Sequence, residues 1–160
     1  MNKLIPITTL LLSTHLSATP LYKMAVVSDG NSSSAIKKGA YEQGITAINT
    51  SGLYKDMYQR LTDSMNLCVA HVSLAQIEKA ETACETAVLL TKHSKDESSQ
   101  LQKIASLALN NRAILKIKSN NYQGALADLL DAMEVNNSSL IKTNLIKLIQ
   151  KQSEKVQFKS

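Results

Sequence analysis

Two stretches of this chain carry the same residue skeleton. One runs Asn66, Cys68, Ile77, Ala80, Cys84, Ala87, and the other Asn111, Ala113, Tyr122, Ala125, Leu129, Ala132. Counted from the Asn, the residues that follow stand at offsets of two, eleven, fourteen, eighteen and twenty-one in both copies. A small residue, a turn, and then Ala-x-x-x-larger-x-x-Ala is the spacing of two antiparallel helices. Small side chains let the helices approach, and the larger one fills the gap between successive hairpins. The spacing predicts an all-α chain of repeated helical hairpins, a class that binds more often than it catalyses.

Composition agrees with that period. A chain of 160 residues fits one domain, and five Tyr, one Phe and no Trp, with five Gly and two Pro, favour helix over sheet. The net charge of +5 is too small to demand a nucleic-acid partner. The lysines do not interleave with aromatics that would stack on bases, so no nucleic-acid interface is expected.

The N-terminus has the pattern of an export signal over residues 1–18. Lys3 is the positive start, Leu4 to Leu12 the apolar core, and Leu16-Ser17-Ala18 the cleavage site ahead of Thr19. Cleavage there implies a periplasmic or secreted protein. The apolar run is too short for a membrane span, and no cofactor is implied. Residues 19–34 show no period and end in Asp29-Gly30-Asn31-Ser32-Ser33-Ser34, so a flexible leader is expected. The helical domain is expected over 35–160. It begins near Ala35 with what reads as the second helix of a degenerate hairpin whose first helix is missing or disordered, with Tyr41 and Gly44 spaced like Tyr122 and Ala125. Hairpins are expected at about 53–92 and 99–136, with a capping helix at about 138–156, giving five to six helices. That last helix pairs an apolar face of Ile141, Leu145, Leu148 and Ile149 with a stripe of Lys147, Lys151, Lys155 and Lys159.

Cys68 and Cys84 stand eight residues either side of Gln76, the expected turn. In a hairpin this sets them opposite one another, as a structural disulfide in an oxidising compartment or, alternatively, as two buried thiols. No catalytic constellation is found. His71 lies among apolar neighbours and His93 in a polar loop, while Asp63, Glu78, Glu81 and Glu85 have the spacing of a solvated helix face. No metal-binding His pair, phosphate loop or nucleophile elbow is present.

The run Leu109-Asn110-Asn111-Arg112-Ala113-Ile114-Leu115, with Asn120-Asn121-Tyr122-Gln123-Gly124-Ala125-Leu126 and then Leu129 and Ala132, resembles a tetratricopeptide repeat. Asn66-Leu67-Cys68 through Ala80, Cys84 and Ala87 resembles a second copy. With one Cys in each helix of the first repeat, the pair is similar to small exported tetratricopeptide-repeat proteins of Gram-negative bacteria. The resemblance implies a short helical-hairpin solenoid whose first helices line a concave groove for a protein or peptide partner. Met65, Asn66 and Val69 of one helix and Asn110, Asn111, Ile114 and Lys118 of the next would line it, with Thr62, Ser73 and Leu107 beside them. Asn66 and Asn111 would either hydrogen-bond a partner's backbone or tie adjacent helices together. The groove is expected to be mostly apolar and neutral. Such a protein would be a non-enzymatic adaptor. The alternative is a self-associating subunit of an envelope assembly, a homo-oligomer.

Overall fold

The structure is a computed structural model that describes residues 22–28, 31–52, 55–92 and 98–157. The expected signal segment, the cleavage site at Ala18, Leu53, His93 and Lys159 lie outside the described residues. Seven helices follow in order among those described: α1 (Asn31–Lys37), α2 (Tyr41–Thr50), α3 (Met57–Ser73), α4 (Ile77–Lys92), α5 (Ser99–Lys118), α6 (Tyr122–Val135) and α7 (Ser139–Gln157). No strand is found among these residues, so the fold is all-α. No helix of the described residues is long and apolar enough to cross a membrane.

Three helix pairs, α1–α2, α3–α4 and α5–α6, are joined by the same turn. Gly39, Ala75 and Asn120 each take a left-handed backbone, at φ 81°, 56° and 61°. The amide of the next residue reaches back five residues in all three: Ala40 donates to the Ala35 carbonyl (3.0 Å), Gln76 to His71 (2.9 Å) and Asn121 to Lys116 (2.8 Å). This closure satisfies carbonyls that a helix end otherwise leaves open. Five positions after each left-handed residue comes a small buried one, Gly44, Ala80 or Ala125. At Gly44 even a methyl is too large, since a Cβ there would overlap the Ile36 side chain and lie 3.2 Å from the Ser32 carbonyl oxygen.

The N-terminal region differs from expectation in two ways. Helix does not begin at Ala35 but at Asn31, and Gly39 divides the expected single helix into a hairpin, so the first helix is present as the short α1. The expected loose leader is also structured in part. Tyr22–Ser28 is extended, and its Tyr22, Met24, Val26 and Val27 side chains pack on the helices. Local pattern missed the extended segment because its partners are distant in sequence, and missed α1 because the polar run Asn31-Ser32-Ser33-Ser34 carries no apolar period, although its partner α2 follows directly.

Other boundaries follow from capping. Helix α3 starts at Met57, later than expected, because Asp56 and Gln59 form a reciprocal capping box with bonds of 2.8 and 3.3 Å. Ser98 accepts from the Leu101 amide at the start of α5, and Asn121 from the Gly124 amide at the start of α6. One core cluster runs from α3 to α7 through Leu61, Met65, Val88, Leu129, Ile141 and Leu148, and Ile36 and Ile48 of α1 and α2 pack with Val69 and Ala70 in another. Cys68 and Cys84 are joined in a disulfide with Cα atoms 4.8 Å apart, both fully buried between α3 and α4. Ile141 and Leu148 on α7 are buried as expected, but Ile149 is half exposed. Lys151 on the expected basic stripe places its ammonium 5.8 Å from the centre of the Tyr122 ring.

Candidate functional site: an amide ladder around an extended segment

Helices α3, α5 and α7 each present a buried asparagine to one cleft. Asn66, Asn111 and Asn144 are at most 1 % exposed. A buried amide costs about 1–3 kcal/mol unless its donors and acceptor are paired, so three in one cleft require partners. The partner is the backbone of Tyr22–Ser28.

Asn66 Oδ1 accepts from the Val27 amide and its Nδ2 donates to the Val27 carbonyl, both at 3.0 Å. Asn111 makes the same two bonds with Ala25, each 2.8 Å. Asn144 does so with Lys23 at 3.0 and 2.7 Å. Each amide therefore closes a two-bond ring with one residue of an extended chain, and the residues held are alternate ones. An extended chain turns the N–H and C=O of one residue to the same edge, and every second residue to that edge again. One helical hairpin thus reads two residues. The segment runs from α7 towards α3, opposite to the order of the repeats, and Lys37 Nζ holds Ser28 Oγ beyond it at 2.6 Å.

Asn110 stitches the ladder laterally. Its Nδ2 donates to the Lys23 carbonyl at 3.1 Å, and its Oδ1 accepts from Asn144 Nδ2 at 2.8 Å. It also donates to Asn111 Oδ1 at 3.4 Å. Of the two roles open to Asn66 and Asn111, both residues bond backbone, here that of their own chain, while Asn110 and Asn144 add the tie between helices.

The intervening side chains pack on the helices, and of the laddered residues Ala25 is buried and Val27 also packs on the core. Tyr22 and Met24 pack beside Cys68, Val72, Ile114 and Leu115, and Met24 and Val26 beside Ile36, Val69 and Ala70. The cleft alongside the segment has a volume of about 880 Å³ and is lined by Val69, Ser73, Leu107, Ile114 and Lys118 of the expected set. Met65 is wholly buried in the core instead, and Thr62 lines a separate cleft. The expectation of a neutral groove needs correction: exposed Lys37, Lys103 and Lys118 line the cleft, and no Asp or Glu among the described residues does. Tyr22 has its hydroxyl buried without a hydrogen-bond partner among the described residues. Burial, and then the nearby Tyr122, push its pKa above the ordinary value.

Two further polar groupings lie away from the ladder. Arg112 forks onto Asp128 through Nε (2.9 Å) and Nη2 (2.7 Å), reaches Glu85 at 2.8 Å, and shares Asp128 with Lys116 at 2.8 Å. The Asp128 hydrogen bond, Coulombic attraction to both carboxylates and the Glu85 hydrogen bond raise the Arg112 pKa against burial. A polar cleft of about 440 Å³ between α2 and α3 contains Lys55 and Asp63, bound to each other at 2.6 Å. His71 Nδ1 lies 2.7 Å from Gln76 Oε1 and is buried at the hairpin turn. Among the described residues no three His, Cys, Asp or Glu side chains gather as a metal centre requires.

Sequence reasoning missed Asn144, although it follows Asn111 by 33 residues, close to one hairpin repeat. It also missed Tyr22–Val27, whose Tyr, Met and Val at alternate places carry a strand period. No family model, curated protein or solved structure matches the chain.

Proposed function

We propose that this chain is an exported, non-enzymatic, tetratricopeptide-like adaptor that binds a protein segment in extended form along the cleft formed by α3, α5 and α7. The observation that carries this reading is the occupancy of the cleft by Tyr22–Ser28, held through backbone bonds to Asn66, Asn111 and Asn144. A groove that holds one extended chain mostly by main-chain atoms has the equipment to hold another. The three identical hairpin turns support the repeat assignment, and the disulfide supports an oxidising compartment such as the periplasm or cell exterior. The test is affinity capture from a native envelope fraction with the tagged chain, with and without an excess of a peptide spanning residues 19–30. A protein recovered only without the peptide is expected. Recovery that the peptide leaves untouched argues against the cleft.

Self-association is the second reading. It rests on exposed apolar residues of the last two described helices, Leu126 and Leu130 on α6 with Ile146 and Ile149 on α7. Sedimentation at several concentrations separates the two readings, since only this one expects a mass that rises with concentration.

A further inference from the structure

The proposal below rests on the peptide-binding reading and specifies its ligand. The amide ladder asks for an N–H and a C=O at alternate residues of an extended chain; of their side chains, that of Lys23 is exposed, whereas Ala25 is buried and calls for a small residue, and Val27 packs on the core. Proline lacks the N–H and so is excluded at the places of Lys23, Ala25 and Val27, where it would leave an asparagine oxygen buried without a donor. The residues between, at the places of Tyr22, Met24 and Val26, lie against apolar surface and call for apolar side chains.

The resident segment is an imperfect occupant at two places. The Tyr22 hydroxyl is buried with no partner among the described residues, a cost that phenylalanine does not carry. Lys23 lines the same cleft as Lys37, Lys103 and Lys118, and among the described residues no acidic side chain lines it to offset four ammonium groups. An acidic residue at that place turns repulsion into attraction.

We infer that the cleft takes in trans an extended, acidic segment with apolar residues at alternate positions, an aromatic without a hydroxyl at the first, and no proline at the laddered places. Tyr22–Ser28 is its built-in, weaker competitor.

The experiment uses the full chain with a protease site placed between Ser28 and Asn31, folded and oxidised first and then cut. Release of the cut segment is followed by mass spectrometry, and binding of labelled peptides spanning residues 19–30 by fluorescence anisotropy. The cut chain is expected to bind the parent peptide, and the uncut chain at least tenfold more weakly. Tyr22→Phe in the peptide is expected to tighten binding about tenfold. Lys23→Glu is expected to tighten it at low salt, with the gain fading as salt rises. Ala25→Pro is expected to abolish measurable binding.

If the cut segment leaves and no peptide binds, the peptide-binding reading itself fails. Should the parent peptide bind and Ala25→Pro bind equally, the backbone ladder is not what recognises ligand, and this inference alone fails. It fails likewise if neither Tyr22→Phe nor Lys23→Glu improves on the parent, or if the cut segment stays bound against a thousandfold excess of the Phe peptide.

Discussion

Replacing Asn111 with Ala removes the central pair of bonds from the cleft while leaving the apolar contacts of Tyr22, Met24 and Val26 in place. Both lost bonds are 2.8 Å long and buried, and Asn111 is 1 % exposed. Each bond has a net worth of about 0.5–1.5 kcal/mol, and each backbone group left buried without a partner costs about 1–3 kcal/mol. If the segment stayed docked, Ala25 would therefore carry roughly 2–6 kcal/mol of unsatisfied polarity. The chain has an escape, because the segment can leave the cleft and hydrate, so its own docking energy caps the loss. We expect about 2–4 kcal/mol, which corresponds to a fall of roughly 30- to 1000-fold in local protection. The assay is amide hydrogen exchange resolved by residue. Lys23, Ala25 and Val27 should exchange faster together, while the amide of Leu129, deep in α6, keeps its parent rate. An Ala25 rate within threefold of the parent would show that the ladder does not hold the segment. A matching acceleration at Leu129 would show that the segment opens only with the whole domain.

Three other perturbations follow from the framework that carries the cleft. Ala75→Gly should stabilise the chain by about 1 kcal/mol in denaturant melts, because Ala75 bears the steric cost of φ 56° that Gly39 avoids in the equivalent turn. Reduction of Cys68–Cys84, which closes a 16-residue separation, should cost about 3 kcal/mol. The far-ultraviolet spectrum should stay helical while the melting temperature drops on the order of 10 °C, and an unchanged melting curve would count against the bond as a staple. Asp128→Asn leaves Arg112 facing only Glu85 and deprives Lys116 of its carboxylate, so a loss near the lower end of roughly 3–5 kcal/mol is expected by chemical denaturation. A change under 0.5 kcal/mol would refute the view that this network joins α4, α5 and α6.

The helical hairpins were legible in the sequence because their information is local. Gly44, Ala80 and Ala125 recur at one distance from a turn, and close helix packing tolerates only small residues there. Opposed placement of Cys68 and Cys84 followed from counting residues either side of Gln76. The sequence also singled out Asn66 and Asn111 by their equivalent places in two copies. It left open what their amides bond, because an amide satisfies a neighbouring helix and a passing backbone equally well.

The partner of those amides was decided by tertiary structure alone. Val27 is 39 residues from Asn66, Ala25 is 86 from Asn111, and Lys23 is 121 from Asn144. No short-range period links positions so far apart. Taken alone, the polar stripe on α5, Ser106, Asn110 and Asn111, reads as a face turned to water, yet all three residues are buried. What buries the two asparagines is a strand-like segment that makes no sheet. Its backbone bonds go to side chains, so only the assembled cleft supplies the ladder that keeps it extended. The local sequence thus determined a stack of helical hairpins. Closure of the stack into a cleft decided that the chain's own N-terminal segment lies along it, because the buried amides and the extended backbone satisfy one another only there.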